Sequence, residues 1–146
     1  MRREPELEHG DVPAALRGPV PSTPLRFAWP VGTGVTDRFG PRGARFHSGV
    51  DFPLDSGDRV NAAGRGCVEF AGWDASGYGN LVVIRHRLGV TTWYAHLSRI
   101  TVDEGTCVVA GDRVGLAGST GTSTGPHLHF EVRVRGAVID PLRAMG

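Results

Sequence analysis

Polar and apolar residues alternate without a break from His127 to Val134, near the end of the chain. An alternation of period two is typical of a β-strand, because successive side chains point to opposite faces of the sheet. It predicts a half-buried strand whose apolar face consists of Leu128, Phe130, Val132 and Val134. The polar face would then carry His127, His129, Glu131 and Arg133. Two imidazoles on one face are candidates for metal binding or for acid–base chemistry.

Length and composition favour a single β-rich domain. The chain has 146 residues, including 22 Gly and 10 Pro, and this usage favours short strands joined by tight turns. Residues 1–25 are rich in Pro, Glu and Arg and show no sustained periodicity. We expect residues 1–25 to be a flexible tail or linker and residues 26–146 to be the folded domain.

Charge and hydropathy exclude some partners. The net charge of +1 provides no electrostatic attraction to nucleic acid, and all 16 basic residues are Arg. No apolar run approaches the roughly 18 residues of a membrane span, and the first residues lack the apolar core of a signal peptide. We expect a monomer without a membrane span, either cytosolic or exported by a signal that this sequence does not contain.

Further strands are predicted at residues 59–63, 66–73, 80–87 and 90–96, and the last two would form a hairpin. Alternation on the last strand places Thr92, Tyr94 and His96 on one face. His96 would end the strand, where it either reaches a neighbouring site or is an ordinary half-exposed histidine. We expect structural or solvated roles for His86 and for His9.

His47 and Asp51 form a second candidate pair. On a straight strand they would lie about 13 Å apart, at roughly 3.3 Å per residue, which is too far to share one metal ion. A shared ion therefore requires the chain to bend, and Gly49 between them permits a bend. The alternative is a simple turn in which Asp51 caps backbone groups and His47 has no role.

Together the chain offers His47-x3-Asp51, His96 and His127-x-His129. Three nitrogen or oxygen ligands with one open position describe a catalytic zinc site, and two histidines would remain to act on water or substrate. No Cys pair has zinc-finger spacing and there is no H-E-x-x-H motif.

These motifs resemble the lysostaphin-type zinc metallopeptidases, which cut peptide cross-links in bacterial cell-wall peptidoglycan. The resemblance rests on segments 46–51, 78–80, 94–98 and 118–131. It implies a mainly β fold, a compact antiparallel β-domain with the zinc site in a groove. It also implies one Zn²⁺ per chain bound by His47, Asp51 and His129, with His96 and His127 as the catalytic pair. Glu131 would support the site or the strand pairing, and the protein would act in the cell wall, the periplasm or outside the cell.

Several alternatives stay open. The cutters of glycine bridges in this family carry a Tyr shortly before the first His ligand, and residues 39–45 contain none. This absence, with Arg38, Arg42 and Arg45 nearby, favours direct, diaminopimelate-type cross-links, whose free carboxylates suit Arg. The chain could instead be a non-hydrolytic or self-inhibited domain that binds and activates a cell-wall amidase. Cys67 and Cys107 could form a bridge or remain two buried thiols.

Overall fold

A computed structural model describes residues 22–146, so the predicted tail lies almost entirely outside the described residues. No helix in this part of the chain is long and apolar enough to cross a membrane. The strands are β1 Gly40–Arg42, β2 Arg45–His47, β3 Val50–Pro53, β4 Arg59–Asn61, β5 Gly66–Asp74, β6 Gly79–Arg85, β7 Val90–Leu97, β8 Arg99–Ile100, β9 Cys107–Val108, β10 Arg113–Leu116, β11 His127–Val134 and β12 Ala137–Ile139. A 3-10 turn at Pro141–Arg143 follows β12.

The strands form three antiparallel sheets, which confirms the predicted fold class. The largest has the order β12-β11-β7-β6-β5-β9, and β3 also pairs with β11. The other two have the orders β4-β10-β8 and β1-β2. Because β3 pairs with residues 127–130 and β12 with residues 132–134, both strands lie along one edge of β11. Strand β11 therefore has neighbours on both sides and lies inside the sheet.

Both faces of the central strands of the large sheet, β6, β7 and β11, are covered. Alternate residues of β6 belong to two different apolar clusters, with Val82 and Ile84 in the larger cluster and Leu81 and Val83 in the smaller one. The larger cluster also contains residues of the β4-β10-β8 sheet, such as Val60 and Val114. Burial on both faces explains the continuous aliphatic run Leu81-Val82-Val83-Ile84 in β6.

The predicted alternation on β11 is confirmed, but the predicted half-burial is wrong. Leu128, Phe130, Val132 and Val134 lie in the larger apolar cluster. On the opposite face the side chains of His129 and Glu131 are fully buried, and that of Arg133 is 4% exposed. The guanidinium of Arg133 lies 3.9 Å from the ring centroid of Trp93 on β7, which helps to cover this face. Polar residues on this face therefore form a buried network and not a solvated surface.

The bridge between Cys67 and Cys107, which the sequence left open, is formed. The two cysteines are direct partners in the antiparallel pairing of β5 with β9. The bridge closes a segment with a sequence separation of 40 residues and ties the edge strand β9 to the large sheet.

Candidate functional site

Strand pairing brings Asp51 and His129 together. They are opposite partners in the antiparallel ladder of β3 and β11, so their side chains lie on the same face. Asp51 Oδ1 is 2.8 Å from His129 Nδ1. The same carboxylate oxygen is 3.8 Å from His127 Nε2. The aspartate is thus adjacent to both histidines of the His127-x-His129 pair.

The chain bends between His47 and Asp51, as a shared site required. Strand β2 ends at His47, residues 48–49 turn, and β3 begins at Val50. His47 Nε2 consequently lies 3.3 Å from Asp51 Oδ2. A Cβ atom on Gly49 would lie 2.3 Å from the carbonyl oxygen of Phe130, so only glycine allows this close approach of the two backbones.

A β-bulge aims His96 at the site. In the pairing of β6 with β7, the partners Asn80↔Leu97 and Val82↔Tyr94 leave two residues, Ala95 and His96, opposite Leu81 alone. His96 has a φ of 64°, which is rare for a non-glycine residue. Its ring centroid lies 4.8 Å from that of His127 and 6.0 Å from that of His129.

The prediction that His96 shares a face with Tyr94 is therefore wrong. Tyr94 packs in the larger apolar cluster against Phe130, on the face of β11 opposite to His129. The bulge interrupts the period of two and turns the next side chain towards the other face, as bulges beside active sites often do. His96 does reach the site on the neighbouring strand β11, which was one of the two alternatives that the sequence left open.

Hydrogen bonds define the tautomers of the rings. The Nδ1 atoms of three histidines each lie within hydrogen-bond distance of a main-chain carbonyl: His47 with Arg38 at 3.0 Å, His96 with Thr120 at 2.7 Å and His127 with Gly125 at 2.9 Å. A carbonyl only accepts, so in each of these rings Nδ1 carries the hydrogen and Nε2 is the basic nitrogen. His129 differs, because each of its two nitrogens lies 2.8 Å from a carboxylate oxygen, Nδ1 from Asp51 and Nε2 from Glu131.

Burial and charge shift the pKa values at the site in different directions. Burial opposes the charge of Asp51, but hydrogen bonds from His129 and His47 outweigh burial and hold the pKa of Asp51 far below its usual value. Burial also opposes protonation of His129, yet the hydrogen bonds to Asp51 and Glu131 raise the pKa of His129 to about 9. Burial, followed by the nearby charge of His129, lowers the pKa of His96 to about 4.

His47, Asp51 and His129 are suited to hold a metal ion. One candidate ligand atom from each lies within 4.8 Å of the others. Two imidazoles and one carboxylate are the donors that zinc accepts, and a second acceptor holds each of the two rings in one orientation. Among residues 22–146, no other group of three or more His, Cys, Asp or Glu residues has this geometry.

The site opens into a groove. Its lining consists of Asp37, His47, Asp51, residues 121–124 and His127. None of the three arginines that precede His47 lines it. The guanidinium of Arg42 instead donates to the carbonyls of Arg38 and Pro41 and pairs with Asp37 at 3.1 Å. Arg42 therefore stabilises its own loop.

The loop of residues 118–124 docks on the turn before β6. Thr122 N–H donates to Gly77 O, Asn80 N–H donates to Thr120 Oγ1, and the Thr120 hydroxyl donates to Leu97 O. The sequence motif Tyr78-Gly79-Asn80 had suggested no role for this turn. The docking fixes one wall of the groove and also the carbonyl that holds His96.

His86 lies in a separate hydrogen-bonded chain in the core. Its Nδ1 contacts Arg65 O at 2.7 Å and its Nε2 contacts Thr92 Oγ1 at 2.8 Å. Thr92 in turn contacts the hydroxyl of Tyr94, which accepts from Ala63 N–H. All these polar atoms have partners inside the core, which agrees with the structural role expected for His86. His9 lies outside the described residues.

Two characterised relatives are similar to this chain over part of their length. A DD-carboxypeptidase/endopeptidase of Neisseria meningitidis is 47% identical over 98 residues, which are 67% of this chain and 22% of that protein. The murein hydrolase activator NlpD of Escherichia coli is 37% identical over 123 residues, which are 84% of this chain and 32% of that protein. The chain therefore matches less than a third of the length of either relative.

Solved structures are also similar. The catalytic domain of lysostaphin from Staphylococcus simulans is 37% identical with a TM-score of 0.71, over 75% of this chain and 90% of that one. A zinc-containing peptidase from Vibrio cholerae is 37% identical with a TM-score of 0.74, over 82% of this chain and 40% of that one. Residues 45–141, a stretch that begins at β2 and ends after β12, match the sequence pattern of peptidase family M23. The chain belongs to peptidase family M23.

Proposed function

We propose that this chain is a zinc metalloendopeptidase that hydrolyses peptide cross-links of bacterial cell-wall peptidoglycan. The observation that carries the proposal is the convergence of His47, Asp51 and His129 on one point, with His96 and His127 beside it. The first three residues would bind one Zn²⁺. His96 and His127 would be catalytic. The reaction belongs in the cell wall, the periplasm or outside the cell, where an interstrand disulfide is also stable.

Zinc bound there would supply a Lewis acid that polarises a peptide carbonyl and acidifies water. His96 and His127 each offer Nε2 as a base, because Nδ1–H is held by a carbonyl. The pKa of His96 is lowered to about 4, chiefly by burial, so this ring is neutral near pH 7 and able to accept a proton. Once protonated, it can donate to the leaving amine or to the developing oxyanion.

The substrate that we favour is a direct cross-link, of the diaminopimelate type, and not a glycine bridge. Similarity to a DD-carboxypeptidase/endopeptidase at 47% identity favours this substrate, and so does the lack of a Tyr in residues 39–45. Arg42 does not add support, because its guanidinium is bound to its own loop. Arg38 and Arg45 add none either, because neither lines the groove.

The test is digestion of purified cell walls with direct cross-links and, separately, walls with glycine bridges, with products identified by mass spectrometry. We expect wild-type protein to release products cut at the direct cross-link, and His127→Ala to release none. Cleavage of glycine bridges alone would reject the proposed substrate. Equal activity of His127→Ala would reject the proposed mechanism.

A second candidate is an activator of a cell-wall amidase, favoured by the similarity to NlpD at 37% identity. Against it stands the presence of all five proposed site residues, grouped closely around one point. The two functions differ in one experiment, in which a cell-wall amidase digests walls with and without this chain. An activator would increase the release of amidase products, and its His127→Ala variant would do so as well. An endopeptidase would instead cut wall peptides with no amidase present.

A further inference from the structure

We propose that Glu131 is a positioning residue that imposes on His129 the tautomer able to bind metal through Nδ1. The inference rests on the proposed zinc site and names the residue that selects which nitrogen faces the ion. His129 is the one site histidine that presents Nδ1 to Asp51, at 2.8 Å. It is also the one whose other nitrogen contacts a carboxylate and not a main-chain carbonyl.

Glu131 is fully buried and its carboxylate is surrounded by donors. Oε2 accepts from the hydroxyls of Ser48 and Tyr78, both at 2.6 Å, and lies 2.8 Å from His129 Nε2. Oε1 accepts from Nε and from a terminal nitrogen of Arg133, each at 2.8 Å. The guanidinium of Arg133 has only donor nitrogens, and both hydroxyls donate to the same carboxylate. The carboxylate can therefore only accept from His129.

The same contacts keep Glu131 from becoming a metal ligand itself. Its two oxygens are held from opposite sides, by Arg133 on one and by the two hydroxyls on the other. Arg133 is anchored in turn over the ring of Trp93 and donates to the hydroxyl of Tyr78 at 3.0 Å. A carboxylate fixed in this way holds the ring of His129 in one orientation and increases the basicity of Nδ1.

Glu131→Gln separates this role from simple packing, because the amide has nearly the same shape but only one accepting oxygen. The buried charge of Arg133 would attract that oxygen, since an unpaired buried cation is costly. The amide NH₂ would then face His129 Nε2, which can accept this hydrogen only if His129 carries its own hydrogen on Nδ1. That tautomer cannot bind metal through Nδ1.

The experiment uses the zinc-loaded protein and needs no substrate. Zinc affinity is measured by competition with a chromogenic chelator, and histidine tautomers by long-range ¹H–¹⁵N correlation NMR. We expect wild-type His129 to carry its hydrogen on Nε2, and Glu131→Gln to bind zinc about 10- to 100-fold more weakly. The matched control is Glu69→Gln, a half-buried strand glutamate paired with Arg85 away from the site, which should change neither quantity.

Coordination of wild-type His129 through Nε2 would overturn the proposal without any variant. Unchanged zinc affinity and tautomer in a folded Glu131→Gln would overturn it as well. This experiment and the test of the proposed function can give different results. If the protein binds zinc through His129 Nδ1 but cuts no peptide, this inference is supported and the proposed hydrolase activity is rejected. If zinc is bound through His129 Nε2 in a protein that cuts peptides, this inference is rejected and the hydrolase activity is supported.

Discussion

Asp51 and His129 face each other across two antiparallel strands, with carboxylate Oδ1 2.8 Å from imidazole Nδ1. In the metal-free protein, burial disfavours protonation of His129, but the bonds to Asp51 and Glu131 prevail and raise the pKa of His129 to about 9. Near neutral pH a proton therefore occupies the position that a zinc ion would take.

Zinc binding should consequently release about one proton from His129 at pH 7, since a ligating imidazole must be neutral. Affinity should increase about tenfold per pH unit as the pH rises towards 9, where the proton is already leaving. Isothermal titration in buffers with different ionisation enthalpies counts the proton. Binding at pH 7 with no proton released would contradict the pairing of these two residues.

Gly79→Ala should disrupt the docking that holds His96. Gly79 has a φ of +68°, and a Cβ there would lie 2.5 Å from the carbonyl carbon of Thr120. We expect a loss of about 1–3 kcal/mol in the free energy of unfolding, measured with denaturant, together with reduced hydrolysis. The control is Gly105→Ala, which has a φ of +88° but no atom within 4 Å of the added Cβ. Equal losses in the two variants would assign the effect to backbone strain alone.

The buried His86 should make the protein less stable in acid. Burial lowers the pKa of His86 below 6.5, so under mildly acidic conditions the unfolded chain takes up a proton that the folded chain does not. This contribution to stability is present above pH 6.5 and decreases as the pH falls below it. His86→Gln keeps one donor and one acceptor but does not titrate. Between pH 7.5 and 5.5, wild-type protein should lose more stability than this variant. Parallel curves for the two proteins would refute the prediction.

The bridge between Cys67 and Cys107 should contribute to stability through the unfolded chain. Its sequence separation of 40 residues corresponds to roughly 4 kcal/mol in the chain-entropy description. We expect the oxidised protein to show no titratable thiol in denaturant, and the Cys67→Ala/Cys107→Ala double variant to melt at lower temperature. Two free thiols in protein secreted into an oxidising medium would show that the bridge does not form.

The sequence predicted features that depend on local pattern. The alternation of β11 correctly assigned each residue to a face, and the shared site implied by the resemblance required a bend that Gly49 permits. Two features could not be predicted, because they depend on contacts between distant segments. Burial of Glu131 requires Tyr78, which is 53 residues away in sequence. The bulge that redirects His96 arises from the register of β7 against β6. The sequence of β7 by itself contains no pattern that predicts it.

The most direct test of the zinc site compares zinc content in His129→Ala and His127→Ala, purified with zinc and analysed by elemental mass spectrometry. The two histidines are two residues apart on one strand, so each variant removes one imidazole from the same face of β11. We predict about one zinc per chain in wild-type and His127→Ala and almost none in His129→Ala. Zinc retained in His129→Ala, or lost from His127→Ala alone, would contradict the assignment.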